Sequence, residues 1–349
     1  MSRRVLVARL DSMGDVLLCG PAVRAVASMS DHVAMLCGPL GSAAAALLPG
    51  VDEVIVWDCP WIANPAPEAT RGHLEILNDE LRQVQADQAV ILTSFHQSPL
   101  PLALMLKMAG MGPVAGASVD YPGSLLDVRL RPGEDLPEDI PEPVRALAIA
   151  RAAGFELPAG DDGLLAIRDV GGAAHLAGGA PYVVVHPGAE APARAWPAEL
   201  NAACVELLAA AGYRVVVTGS QDEAMLTRRV AGSSALDLGG LTDLRGLAAV
   251  LAGAQAVVVG NTGPAHLAAA VGTPVVSLFS PVVPAVKWAP YGVPLELLGD
   301  QDAACRNSRV RECPIPGHPC LSGVQPAAVV DAVRRLTGPA VSSAMEVSR

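Results

Sequence analysis

The sequence predicts an α/β protein built from two doubly wound parallel sheets in tandem. Short apolar runs rich in β-branched residues alternate with longer stretches of helical periodicity. This alternation stops at the Gly-, Ala- and Asp-rich stretch Phe155–Ala180, where we predict the linker between two domains, and then restarts. The 349 residues also exceed what one ordinary hydrophobic core accommodates. We therefore predict an N-terminal domain over residues 1–170, a C-terminal domain over 171–338 and a tail over 339–349.

In the first half, apolar runs predict strands and helical spacing predicts helices. The predicted strands are Val5–Leu10, His32–Cys37, Val54–Trp57 and Gln88–Thr93. The predicted helices are Val16–Ser28 with a kink at Pro21, Arg71–Val84, the apolar Pro99–Met111 and Glu142–Gly154. Strands and helices in this alternation form βαβ units and hence parallel sheets.

The second half repeats the pattern. Its predicted strands are Tyr182–His186, Tyr213–Thr218, Leu236–Leu238, Gln255–Val259 and Pro274–Phe279. Its predicted helices are Ala198–Ala211, Gln221–Val230, Leu244–Ala252, Pro264–Val271 and Gln325–Leu336. Ligands of such sheets bind beyond the carboxyl ends of the strands. The loops that follow strands are therefore where we expect the functional residues.

Charge is unevenly distributed along the chain. The net charge is -11, and residues 1–175 hold 12 basic and 22 acidic side chains, against 12 and 13 in residues 176–349. This acidic balance argues against nucleic acid as a partner and against an electrostatic hold on an anionic membrane. It favours the second half as the place for a phosphate-bearing ligand.

Location is predicted from what the sequence lacks. The start, MSRR, leads straight into a strand, and no apolar run reaches about 18 residues. The seven cysteines are an odd number without any secretory feature. We expect a reduced, cytoplasmic chain.

The loop Gly260–Pro264 separates an apolar strand from a helix. Such a helix directs free backbone N–H groups and its positive dipole end at whatever lies beyond the sheet, which makes an anion site. Thr262 adds a hydroxyl and His266 a ring nitrogen. We interpret the loop as a site for a nucleoside diphosphate. An ordinary, well-capped turn is the alternative, and this stretch alone leaves both open.

Three more loops of the second half follow strands. His186-Pro187-Gly188 precedes Arg194, and a glycine loop with an arginine is suited to phosphate, although a solvated Arg194 remains an alternative. Thr218 ends a strand before Glu223, whose carboxylate either binds ribose hydroxyls or simply favours a helix start. Gly239–Thr242 is a tight turn that either admits a base to the backbone near Leu241 or places Thr242 as an N-cap.

In the first half, Asp15 follows Gly14 at the start of a predicted helix. Its carboxylate either caps that helix or acts as a general base, and Asp11 is a weaker candidate for the same roles. Near the C-terminus, the Cys-rich segment (residues 305–320, CRNSRVRECPIPGHPC) holds Cys305, Cys313, His318 and Cys320. These four are a candidate zinc set, but Ser308 stands where a Cys-x-x-Cys pair needs its second cysteine, so unpaired thiols are the favoured interpretation.

Several common motifs are missing. The sequence has no P-loop, no Gly-x-Ser-x-Gly elbow and no Gly-x-Gly-x-x-Gly after its first strand. These absences argue against a P-loop NTPase, an α/β-hydrolase and a dinucleotide dehydrogenase.

Four motifs occur in order between about Arg4 and Leu336: VLVARLDSMGDVLLCGPAVRAV, VVVHPGA followed by Arg-Ala-Trp-Pro, VVVTGSQDE, and GNTGPAHLAAAVGTPVVSLFSP. With these motifs the chain resembles the ADP-heptose–lipopolysaccharide heptosyltransferases, glycosyltransferase family nine. The HPCL ending of the Cys-rich segment also resembles many members. The resemblance implies a GT-B fold, in which two Rossmann-like domains face each other across a cleft. It further implies inverting sugar transfer without a metal or cofactor.

The resemblance also implies roles for individual residues. Asp15 becomes the general base for an acceptor hydroxyl, Arg194 the phosphate contact, and Glu223 the ribose ligand. The full set implied to bind substrate or nucleotide is Gly14, His186, Gly188, Arg194, Thr218, Glu223, Leu241, Asn261, Thr262, Gly263, Pro264 and His266. Many members carry Asp at Asn261 and Lys at Arg194, so the sugar and base of the donor stay open.

The expected partners are a nucleotide sugar, for which the resemblance favours an ADP-sugar, and a cell-surface glycan or glycolipid acceptor. Two other functions stay open: a nucleotide-sugar epimerase or hydrolase of the same fold, and a non-catalytic nucleotide-binding homologue. Helix Pro99–Met111 is either buried or a weak peripheral contact with the inner face of the plasma membrane.

Overall fold

The computed structural model describes residues 3–179 and 181–338. By its internal contacts the chain divides into two units after Arg168, close to the predicted boundary at residue 170. The predicted tail, residues 339–349, lies outside the described residues.

The first unit contains a parallel six-stranded sheet. Its strands are β1 (Arg4–Arg9), β2 (His32–Cys37), β3 (Glu53–Val56), β4 (Gln88–Ile91), β5 (Val114–Ala117) and β6 (Val128–Leu130). They lie in the order β3-β2-β1-β4-β5-β6, and each strand is parallel to its neighbours. The helices are α1 (Met13–Leu18), α2 (Gly20–Ala27), α3 (Ser42–Leu47), α4 (Arg71–Val84), α5 (Leu100–Met108) and α6 (Glu142–Ala152).

The second unit contains another parallel six-stranded sheet, in the order β12-β11-β10-β7-β8-β9. Its strands are β7 (Val183–His186), β8 (Val215–Val217), β9 (Leu236–Asp237), β10 (Ala256–Gly260), β11 (Val275–Leu278) and β12 (Leu295–Leu298). The helices are α7 (Ala174–Ala177), α8 (Ala198–Ala210), α9 (Ala224–Ala231), α10 (Leu244–Ala252), α11 (Gly263–Ala270), α12 (Ala285–Trp288), α13 (Pro319–Ser322) and α14 (Pro326–Thr337).

Both sheets have the doubly wound order 3-2-1-4-5-6 when the strands are counted within each unit. In this order the chain reverses direction across the sheet between the first and fourth strands, and the crevice at that point takes the ligand. The switch points are therefore the β1/β4 and β7/β10 pairs. The loop after β1 lies at the switch point of the first sheet, and the loops after β7 and β10 lie at that of the second. These three loops lead into most of the predicted site residues.

Two predicted elements differ in the structure. The helix predicted over Val16–Ser28 is two helices, because α1 ends at Leu18 and α2 begins at Gly20. Pro21 lies in the first turn of α2, where a missing N–H breaks no hydrogen bond, so it starts a helix and does not kink one. The predicted linker also begins too early. Phe155 is fully buried, and Arg24 holds Asp161 through two nitrogens at 2.6 and 2.8 Å within the first unit.

Candidate functional site

Asp15 lies in the first turn of α1, directly beyond β1. The N-cap position of that helix is Ser12, so Asp15 is not the capping residue. Ser12 Oγ donates to Asp15 Oδ2 at 3.0 Å, and Arg9 Nη2 donates to Asp15 Oδ1 at 2.9 Å. The carboxylate is thus oriented by two side chains at the end of the central strand. Gly14 is buried beside it.

Arg9 is the centre of a buried charge cluster. Its side chain is only 3% exposed, and its nitrogens lie 2.6 Å from Asp11 Oδ2 and 3.5 Å from Glu142 Oε2, in addition to Asp15. Arg9 Nη2 also donates to Ser94 Oγ at 2.7 Å, and that hydroxyl donates to Glu142 Oε2 at 3.2 Å. One guanidinium therefore serves three carboxylates.

The pKa values of the cluster are shifted, because three carboxylates and one guanidinium are held close together away from water. Burial raises the pKa of Asp11 to about 6, although Arg9 opposes the rise. Burial likewise raises the pKa of Glu142. Burial opposes the charge of Arg9, but the carboxylates of Asp11 and Asp15 outweigh it and raise its pKa. The cluster consequently holds an extra proton in mildly acidic solution.

Arg9, Ser94 and Glu142 were not predicted as site residues from the sequence. An arginine that ends an apolar strand is a signal in the sequence, because a buried charge needs a partner. Its partner Glu142 is 133 residues away, and only the fold brings the two together.

In the second unit, His186 at the end of β7 is buried next to Thr218 at the end of β8. The distance from His186 Nδ1 to Thr218 Oγ1 is 3.0 Å. Burial lowers the pKa of His186 while Glu223 opposes the fall, so the imidazole is neutral near pH 7. The pair thus links the ends of the two adjacent strands β7 and β8.

Gly188 and Glu223 approach each other closely. A Cβ on Gly188 would lie 1.8 Å from Glu223 Oε1, so a side chain at position 188 would displace the carboxylate of Glu223. Ser220 donates to Glu223 Oε2 through its backbone N at 2.8 Å and its Oγ at 3.0 Å. Glu223 is the N-cap residue before α9, not a residue of the first turn as predicted. Its carboxylate is thus fixed where the loops after β7 and β8 meet.

Arg194 ends a short 3₁₀ turn, Pro192–Arg194, in the loop after β7. A Cβ on Gly260, the last residue of β10, would lie 2.9 Å from the backbone oxygen of Arg194. This contact brings the loop of Arg194 against the start of the loop after β10. Gly260 was not singled out from the sequence, although glycine at a strand end is the usual signal of close backbone approach.

The loop after β10 leads into α11. Thr262 is the N-cap residue but makes no capping bond with its side chain, and Pro264 lies in the first turn. The helix begins at Gly263, one residue before the predicted start. His266 is 5% exposed, and so is Asn261. Asn261 Oδ1 accepts from Ser280 N at 3.4 Å, whereas Asn261 Nδ2 has no hydrogen-bond partner among the described residues.

Leu241 lies outside this close set. It is 65% exposed in the turn after β9, where Gly240 adopts a φ of 72°. The predicted N-cap at Thr242 is wrong, because Asp243 caps α10 and accepts from Gly246 N at 2.7 Å. Aspartate is the stronger N-cap residue, because the carboxylate of Asp243 is a better acceptor for that backbone N–H than the hydroxyl of Thr242.

The four residues of the candidate zinc set do not form a metal centre. No group of three or more His, Cys, Asp or Glu side chains in residues 3–179 and 181–338 is arranged to hold a metal ion. Cys305 and Cys320 are buried, and burial raises the pKa of Cys320. His318 Nε2 lies 3.1 Å from the backbone oxygen of Ala193.

Helix α5 buries one face and exposes another. Leu102, Ala103, Met105 and Leu106 are buried, whereas Leu104 is 49% and Met108 59% exposed. Within the part of the chain that the structure describes, no helix combines the length and apolarity needed to cross a membrane.

The fold defines a class of protein: two Rossmann-like units of the GT-B type. Residues 76–318 match the profile of glycosyltransferase family 9 (heptosyltransferase). Lipopolysaccharide heptosyltransferase 1 of Pseudomonas aeruginosa is 30% identical over an alignment of 319 residues that covers 83% of this chain and 81% of that protein.

Solved structures agree. ADP-heptose lps heptosyltransferase II of E. coli has a TM-score of 0.73 at 20% identity, covering 96% of this chain and 98% of its own. The E. coli heptosyltransferase WaaC with ADP-2-deoxy-2-fluoro heptose has a TM-score of 0.68 at 20% identity, covering 95% and 99%. The chain belongs to glycosyltransferase family 9, the heptosyltransferases, and is a glycosyltransferase. The predicted family and fold are confirmed.

Proposed function

We propose that this glycosyltransferase transfers a heptose or similar sugar from an ADP-sugar to a cell-surface glycan acceptor, with inversion and without a metal. The observation that carries the proposal is the meeting of three loops at the β7/β10 switch point. There the backbone of Arg194 touches Gly260, and the carboxylate of Glu223 touches Gly188. These are the loops to which the family resemblance assigns the donor.

The donor half of the reaction needs positive potential. Departure of a nucleoside diphosphate builds negative charge, and preorganised dipoles and cations stabilise it. In this proposal Arg194, the N-terminus of α11 and His266 hold the diphosphate, while Glu223 accepts hydrogen bonds from the ribose. An ADP-sugar is supported by the names of similar proteins, one of them solved with ADP-2-deoxy-2-fluoro heptose.

The acceptor half needs a base. We assign this role to Asp15, whose carboxylate is held by Arg9 and Ser12 at 2.9 and 3.0 Å. It accepts the proton of the attacking hydroxyl as the bond from that oxygen to the anomeric carbon forms and the bond to the diphosphate breaks. Inversion follows when base and leaving group lie on opposite faces of the sugar. Fixed orientation of the base favours such a reaction geometry.

The acceptor class is supported by the relative of 30% identity, which is named a lipopolysaccharide heptosyltransferase. We propose a lipopolysaccharide-like glycan or glycolipid, modified at the inner face of the plasma membrane by a cytoplasmic enzyme.

Binding of ADP, GDP, UDP and dTDP, followed by calorimetry and thermal shift, tests the donor. A ligand at about 100 times its Kd adds roughly 2.7 kcal/mol to stability. We expect ADP to bind best and Arg194→Ala to weaken it, while Arg228→Ala, which removes an exposed arginine of α9, leaves binding unchanged. No binding of any of the four would overturn the proposal.

Turnover of ADP-heptose with and without a lipopolysaccharide-core acceptor tests the reaction. Transfer that needs the acceptor, survives EDTA and is lost in Asp15→Asn is the expected result. Turnover without acceptor would indicate the epimerase or hydrolase, and binding without turnover would indicate the non-catalytic homologue.

A further inference from the structure

The Cys-rich segment holds the residue that precedes Arg194. Ala193 is fully buried, and its backbone N donates to the oxygen of Arg311 at 2.8 Å. Its own backbone oxygen lies 3.1 Å from His318 Nε2. A carbonyl oxygen only accepts, so Nε2 of His318 carries the proton and donates. Both polar backbone groups of Ala193 are therefore bound by this one segment.

The same segment is fastened to the loop after β11. Asn307 N donates to the oxygen of Pro281, and Arg309 N to the oxygen of Val282, both at 2.8 Å. Val282 and Cys305 form a small apolar cluster with Ala193. The segment thus connects two loops at the carboxyl edge of the second sheet, and one of them is the loop of Arg194.

A phosphate contact by arginine depends on geometry, because its planar donors must face the oxygens. The turn that carries Arg194 is only three residues long, Pro192–Arg194. Its internal backbone bonds do not fix its position on the sheet, whereas the bonds to Ala193 do.

We propose that His318 is a positioning residue, which fixes Arg194 against the diphosphate of the donor through the backbone oxygen of Ala193. This inference rests on the proposed function for the role of Arg194. It assigns a use to the HPCL end of the Cys-rich segment that does not involve a metal.

His318→Met and His318→Gln form a matched pair for the test. Both side chains are unbranched and equally long, but only Gln keeps an N–H donor at the level of Nε2. His318→Asn is a third variant, since His318 has a φ of 52° and Asn tolerates that region while being too short to reach Ala193. Each variant is titrated with ADP, GDP, UDP and dTDP, alone and combined with Arg194→Ala, and its thermal unfolding is recorded.

We expect His318→Met and His318→Asn to raise the Kd of the best-bound diphosphate about fivefold, the loss typical of one hydrogen bond, and His318→Gln to stay within about twofold of wild type. In the Arg194→Ala background the Met and Gln variants should bind equally. Equal losses in both backgrounds, or wild-type affinity in His318→Met, would overturn the inference. A lowered unfolding midpoint without this coupling would indicate a structural role alone.

Failure of the proposed function gives a different pattern. In that case the wild type binds none of the four diphosphates, or Arg194→Ala binds them as the wild type does. Either result overturns both proposals. Normal binding by the wild type, with a loss in Arg194→Ala and none in His318→Asn, overturns the role of His318 alone.

Discussion

Asp11→Asn should remove a pH dependence from the stability of the first unit. The pKa of Asp11 is about 6 in the folded chain, against an ordinary value of 3.8, because burial disfavours its charge. Between these two values the folded state binds a proton that the unfolded state has released. Stability from this group is therefore complete below the lower pKa and is lost as the pH rises through about 6. The difference of about two pH units corresponds to ~3 kcal/mol.

Denaturant unfolding from about pH 4 to about pH 7 measures this effect. Fluorescence of Trp57, which is buried in the first unit and stacked on His73, follows the transition. The Asn side chain has no proton to lose. The free energy of unfolding of Asp11→Asn should therefore rise relative to that of the wild type by up to ~3 kcal/mol as the pH rises. Asp79→Asn, which removes an exposed carboxyl of α4, is the matched control. A difference between wild type and Asp11→Asn that stays constant over this range would refute the reasoning.

Three further outcomes follow from the packing at the two sites. Gly188→Ala should displace the carboxylate of Glu223 and weaken diphosphate binding about tenfold by calorimetry, the equivalent of one lost charged hydrogen bond. In the Glu223→Ala background the same substitution should not weaken binding further, and a loss of affinity in both backgrounds would contradict the close contact. Arg9→Met leaves three carboxylates without their cation and should lower the free energy of unfolding by roughly 3–5 kcal/mol, and an unchanged denaturation midpoint would count against the cluster. Gly260→Ala forces back the backbone of Arg194 and should raise the KM for the donor, and a KM equal to that of the wild type would show that the contact has no functional effect.

The sequence predicted regular, strongly periodic elements well. Helices α4 and α10 and strand β2 have the predicted ends, because amphipathic spacing or an unbroken apolar run marks each of them. Strands β5, β6 and β12 were missed, because Gly116, Arg129 and Glu296 interrupt their apolar runs. An interrupted run of three or four residues carries too little periodicity to be distinguished from a loop.

For the candidate site, the sequence indicated which loops follow strands but not which strands are neighbours. The approach of Arg194 to Gly260 depends on β7 lying beside β10, and that order is not visible in a periodicity. The bond between His318 and Ala193 spans 125 residues and was equally hidden. Local pattern predicts an element, whereas distant pairing depends on the assembled sheet.

The strand order also affects how the protein is made. At the centre of the second sheet, β7 pairs with β10, so the loops after these two strands come together only after the ribosome has added the segment up to Gly260. Helix α14, which packs against α8, β10 and β11, is translated later still. Until then the apolar side of these strands stays uncovered on the nascent chain. The first unit, whose strands all precede Arg168, completes its sheet earlier. Vectorial synthesis thus leaves the second unit as the part of the chain that stays incompletely packed for longest and is most open to chaperones.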